Sequence, residues 1–239
     1  MSPLRACALV LTGLLVADMH QPQAAFPASE QPPGLAAIWN LTDGVVRDTN
    51  GDTIADAVAA RVIVPAAPTV REIQAASNLA GRLAFETAAL TLPIVVRDST
   101  PPPSGALPVF LGTTNAFVVR LASEGAIDLK SLKKGQGLVT IVPSPLGAGL
   151  ALVVAGPDDE GTLAAANVLA GRLPRLWNMS GISVSGIEGQ VAEYLQSRRV
   201  EAGRPSVTSL VVDSDRRGIA SVHLRVPVSA RAAGPPSPE

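Results

Sequence analysis

Histidine, cysteine and aromatic residues are nearly missing from this chain, and each shortage removes a class of chemistry. The two histidines are His20 and His223, and the only cysteine is Cys7. His20 and Cys7 fall in an amino-terminal segment that reads as an export signal, so the mature chain keeps one histidine and no thiol. A His/Cys metal cluster or a Ser–His pair needs more than that. Ser183 and Ser185 lack the glycine-flanked elbow of hydrolases. An exported chain without disulfides relies on packing, or on a bound ion, for its stability. Aromatic residues make up 3% of the sequence, too few for base-stacking platforms or extended sugar-stacking grooves. Charge is also sparse: 16% of residues are charged and the net charge is −1. No basic patch marks a nucleic-acid partner, and Lys130, Lys133 and Lys134 read as a solvated cluster.

Apolar residues are plentiful, at 47% of 239 positions, enough for one full core or one core with a small appendage. The longest early run, Ala6 to Ala17, spans about 12 residues behind Arg5, which suits a signal h-region and is too short to cross a bilayer. Small residues at Ala24, Ala25 and Ala28 offer a cleavage site. The expected organisation is a signal peptide over 1–28, a linker and acidic loop over 29–57, an α/β domain over 58–180, a helix plus β-hairpin over 181–228, and a Pro-rich tail over 229–239. The tail has the character of a tether to a further domain. After signal cleavage no membrane span is expected, and the location is secreted or periplasmic.

Within the α/β region, strands are expected at 58–64, 92–96, 107–111, 138–142 and 150–155. The run Leu92 to Val96 is apolar throughout, as in a strand buried on both faces. Thr69-Val70-Arg71-Glu72 is a capping box. Val70, Ile73, Ala76, Ala80 and Leu83 follow at spacings of three and four, the stripe of an amphipathic helix. A short helix is expected over 115–122, and another opens at Asp158-Asp159 and carries Leu163, Ala166, Leu169 and Leu173. Ala75 to Leu83 is echoed at Ala165 to Leu173, either as two related halves or by chance in an Ala-rich chain. Beyond these, Ser185 to Glu188 reads as a second capping box. The segments 207–212 and 219–228 form a hairpin with Val222 and Leu224 toward the core and His223 and Arg225 toward solvent. The fold class is therefore α/β: a layered sheet with helices packed on it, followed by a small helix plus β-hairpin subdomain.

The segment Asp48-Thr49-Asn50-Gly51-Asp52-Thr53-Ile54-Ala55-Asp56 concentrates the oxygen ligands. Asp48, Asn50, Asp52 and Asp56 stand at positions 1, 3, 5 and 9 of a turn, with Gly51 for the bend, the way a loop wraps a hard cation. Ile54 supplies a backbone carbonyl at position 7 and directs its side chain to the core. The same residues also suit an Asx-rich turn that caps itself. The nine residues resemble the calcium loops of dockerins and thrombospondin type 3 repeats, and the resemblance implies Ca²⁺. Two departures, Thr53 in place of glycine and Ala59 in place of a bidentate acid, imply a weaker site, of the ~10⁻⁴ to 10⁻³ M kind found in extracellular modules.

The remaining acids offer little. Asp158, Asp159 and Glu160 suit a helix N-terminus and repel phosphate there; Asp213 and Asp215 lie in the hairpin turn. These are the candidates if the chain is a glycosidase-like hydrolase using paired carboxylates. Thr69 to Trp177, with Pro93-Ile94-Val95-Val96, Pro108-Val109-Phe110-Leu111-Gly112 and Leu152 to Leu163, resembles the non-catalytic α/β domain that precedes the barrel in secreted hexosaminidases and α-glucuronidases. The strand–helix texture also resembles the periplasmic subunit of bacterial cellulose synthase. The first resemblance implies a non-catalytic accessory module, partnered with a downstream or separate catalytic domain and with polysaccharide; the second implies an envelope assembly protein.

Overall fold

A computed structural model describes residues 33–228, apart from 103, 144, 146–148, 172, 177–179 and 216–217. The expected signal peptide and Pro-rich tail lie outside the described residues. The described residues form one compact unit, and its centre is a sheet of seven strands. Strands β3 (Ala60–Val64), β5 (Leu107–Leu111) and β7 (Leu150–Ala155) form the middle, and nearly every residue in them is buried. Runs such as Val-Ile-Val and Leu-Val-Val are what a strand covered on both faces requires.

β3, β5 and β7 run parallel, with β4 (Val95–Arg97) parallel at one edge. β6 (Gln136–Pro143) then inserts antiparallel between β7 and β8 (Ser206–Asp213), and β9 (Gly218–Arg225) closes the other edge. The helix and hairpin expected after 181 are present, and the hairpin continues the main sheet through β8. Two further strands, β1 (Val46–Arg47) and β2 (Ala57–Val58), form a separate antiparallel pair. The acidic loop is the connection between them.

Register explains the layers. Val62, Val109, Leu152 and Ile141 lie side by side on one face, under α1 (Val70–Phe85) and α3 (Asp159–Gly171). Ile63, Phe110 and Val153 line the opposite face, under Val118 and Leu121 of α2 (Ala116–Ser123). Phe110 is fully buried and stacks on Phe117 at 4.7 Å. The second face turns polar toward β9, where the row continues as Thr140, Ser209 and His223.

The echoed helices α1 and α3 pack on the same face. Asn78 Nδ2 donates to Asn167 Oδ1 at 2.7 Å between them, and Ala75, Ala76, Ala165 and Ala166 are all buried. The start of α3 approaches β6 without any intervening side chain: a Cβ on Gly137 or Gly161 would collide with the other strand's or helix's backbone.

Three expectations are corrected. The buried face of α1 is Glu72, Ala75, Ala76, Leu79 and Leu83, whereas Val70 and Ile73 are exposed. The capping box is as expected, with Thr69 Oγ1 accepting from Glu72 N and Glu72 Oε2 from Thr69 N. By drawing Glu72 inward, it sets the rotation of the helix. The strand expected over 92–96 is the edge strand β4. It pairs on one side only, and Leu92 is 71% exposed. Helix α4 (Val184–Ser197) is capped by Ser183 rather than by Ser185. Glu188 is not a capping partner: its Oε1 accepts from Val207 N at 2.8 Å, tying α4 to β8. Arg61, the one charge in its strand, is buried.

Arg82 joins three elements. Its guanidinium donates to Ala170 O and Leu173 O at the end of α3, pairs with Glu86 at 2.7 Å and lies 4.8 Å from the Trp39 ring centre. Arg82→Ala leaves the last carbonyls of α3 without donors and should cost about 2 kcal/mol. Urea unfolding checks this, and Arg82→Lys should recover part of the loss.

Candidate functional site

In an open α/β sheet, ligands favour the crevice at the carboxyl ends of the strands where the winding reverses. Here that point lies between β3 and β5: the chain leaves β3 through α1 toward β4, and leaves β5 through α2 toward β6 and β7. Side chains of the chain itself occupy it. Asn115 is fully buried. Its amide nitrogen donates to Ile63 O at 2.8 Å and Leu111 O at 3.3 Å, and its oxygen accepts from Phe117 N and Val118 N. Asp98 Oδ2 takes the next free amide of α2, Ala116 N. Thr113 Oγ1 donates to Gly156 O at 2.6 Å.

Glu72 is the buried acid of this edge, 1% exposed. Gly112 has φ +102°, and a Cβ there would collide with Glu72 Oε1, so glycine meets both the backbone geometry and the space. Desolvation pushes the Glu72 carboxyl above its ordinary pKa. The neighbouring charge of Asp159 adds to that, and bonds from Thr69 and Thr113 offset only part of it. At α3, Asp158 accepts from Gly161 N at 2.8 Å and Gly135 N at 2.9 Å, and Glu160 pairs with Arg71 at 2.9 Å. The amino ends of α1, α2 and α3 therefore already hold acceptors supplied by the chain, which disfavours a bound phosphate. Of the remaining acids singled out in the sequence, Asp213 accepts from Asp215 N within the hairpin turn.

The acidic loop folds as a nest of Asx turns at the tip of the β1–β2 hairpin. Asp48 accepts from Asn50 N, Gly51 N and Thr53 N at 3.1, 2.6 and 2.7 Å. Asn50 accepts from Asp52 N, and Asp52 from Ile54 N. Asp56 turns back onto Thr49 N and Oγ1. Desolvation acts upward on Asp48, yet the amides of Thr53, Gly51, Asn50 and Asp52 together hold its carboxyl below the usual value. Thr53 takes φ +70°, a left-handed conformation unfavourable for a β-branched residue and held by its bond to Asp48. The donors suit Ca²⁺ in kind, all being oxygens on one exposed turn. As folded they serve the loop's own amides, and among the described residues no group of three or more Asp, Glu, His or Cys side chains gathers to hold a metal. One expectation is overturned: the Ile54 side chain is exposed, not in the core.

That exposed isoleucine belongs to a feature the sequence reading missed. The segment after α1 is fastened to the loop by Ala88 N donating to Ala55 O at 2.8 Å and Thr87 Oγ1 donating to the same carbonyl at 3.2 Å. Ile54, Phe85, Leu90 and Leu92 are all exposed along this stretch, Phe85 by 85%.

Glu72 gives a pH signature. Its pKa is higher in the folded chain than in the unfolded one, so its stabilising contribution is complete at low pH and declines as the pH climbs past 4.5, glutamate's ordinary value. Glu72→Gln keeps a capping amide and removes the titration. Its stability relative to the native chain should therefore rise with pH through the range above 4.5, as read by urea unfolding at a series of pH values.

Compared with known families and with curated proteins, the chain matches no family model and no curated sequence.

Proposed function

We propose that this chain is an exported, non-catalytic α/β module that docks on a partner protein of carbohydrate processing. The observation that carries the reading is the exposed apolar stretch of Ile54, Phe85, Leu90 and Leu92. Exposing these side chains to water costs free energy that docking recovers, at about 25 cal/mol per Å² of apolar surface covered. The self-capped carboxyl edge supports the non-catalytic half of the reading. The resemblance of Thr69 to Trp177 to domains preceding glycosidase barrels supports a downstream or separate catalytic domain as the partner, with polysaccharide as that domain's substrate. The export signal supports a secreted or periplasmic setting, where millimolar Ca²⁺ makes a weak loop site useful. Asp48, Asn50, Asp52 and Asp56, with the Ile54 carbonyl, are the residues to hold the ion, which would brace the hairpin carrying Ile54.

Two experiments test this. Phe85→Ser with Leu90→Asp should weaken the complex with the catalytic domain about tenfold or more while leaving the melting temperature of the isolated chain within about a degree, since both side chains are already solvated. Turnover of aryl glycosides by the purified mature chain alone overturns the reading. Separately, millimolar Ca²⁺ should raise the melting temperature of the native chain and not that of Asp52→Ala. An unchanged melting temperature in both removes the ion.

A further inference from the structure

At the end of the sheet opposite the self-capped edge, a cleft of about 530 Å³ opens where β5 and β7 begin. Arg47 and Asp43 line it together with Ser104, and Pro102, Pro108 and Leu150 form apolar walls. Arg47 is only partly satisfied: Nη2 donates to Gly105 O at 3.3 Å, and its buried Nε has no partner among the described residues. Next to this wall, Arg61 is the lateral neighbour of Pro108 in the sheet. It is 8% exposed and gives Nη1 to Val58 O and Ala60 O, while its Nε has no partner. Among the described residues no ion pair takes up Arg47, Arg61 or Asp43.

The buried Arg61 guanidinium without an anion is costly, and with the half-buried Arg47 it creates a positive field at this end of the sheet. An ordinary structural pair would set a carboxylate of the chain against each. Asp43, the acid in the cleft wall, pairs with neither. It is left as an acceptor that suits hydroxyl donors and opposes a second negative charge.

We propose that this cleft binds a small hydroxycarboxylate. Its carboxylate lies against the guanidinium fork of Arg47, its hydroxyls reach Asp43 and Ser104, and its carbon skeleton rests on the proline and leucine walls. The planar fork matches a carboxylate in two-point geometry. Asp43 selects a singly charged ligand carrying hydroxyls over a phosphate dianion. The site is independent of the docking surface, and its failure would leave that reading untouched.

The test is a calorimetric titration of the mature chain with gluconate, with acetate, glucose and inorganic phosphate as comparisons. Gluconate should bind, and the other three should bind at least about tenfold more weakly, because each lacks either the hydroxyls or the single carboxylate. Arg47→Ala should weaken gluconate about tenfold or more. Arg47→Lys, which keeps the charge and loses the fork, should weaken it as well with the melting temperature unchanged. Asp43→Asn should narrow the preference for gluconate over acetate. Absence of gluconate binding overturns the proposal. So does equal binding of acetate or phosphate, or full affinity in either Arg47 variant.

Discussion

One buried amide holds the reversal of winding in place. Asn115 sits where β3, β5 and α2 meet, and it uses both hydrogen-bonding ends of its side chain: two strand carbonyls take its NH₂ group, and two helix amides point at its oxygen. The Asn115 side chain is fully buried, and a buried group left without its partner costs the full desolvation of that group. The chain departs in opposite directions on the two sides of this residue, with α1 on one face and α2 on the other. The layering of the molecule, and the division of its core into two clusters, follow from that point being fixed.

The same economy explains why chemistry is sparse at the usual end of the sheet. Asn115, Asp98, Asp158, Thr69 and Glu72 are the polar residues best placed to meet a ligand, and all of them serve backbone amides at the helix ends or in a neighbouring loop. The opposite end is less complete. There, among the described residues, Arg47 and Arg61 lack anions and Asp43 lacks a cation, and the hairpin loop carries an isoleucine into solvent. Both surfaces proposed above therefore lie away from the crevice that the topology would nominate.

Much of the fold was legible because it is local. The Thr69–Glu72 capping box, the strands at 107–111 and 150–155 and the hairpin after 206 each follow from a few neighbouring residues. The misreadings arise where long-range packing decides. Ile73 fits the apolar stripe of α1 as well as Leu79 does, and the packing of Ala75, Ala76, Leu79 and Leu83 against α3 and the sheet, with Glu72 drawn inward, selects between two rotations of the helix. Leu92 reads as core because its run is apolar, yet the strand it precedes lies at the rim. The antiparallel insertion of β6 leaves no mark in composition, since a strand buried on both faces looks the same in either direction. At the acidic loop the sequence showed the oxygens and the tight bend; it did not show that the Asp48 carboxylate is already occupied by three amides, because hydrogen-bond partners are a property of the folded turn.

Gly137 and Gly161 have an implication for how this sequence can change over time. Where α3 meets β6, backbone lies on backbone, and the smallest possible addition on either partner collides. A core position filled by leucine usually admits methionine or isoleucine after slight repacking, but a contact made of missing atoms has no conservative replacement. The strictest limits on variation in this molecule should thus fall on two residues that contribute no side chain at all.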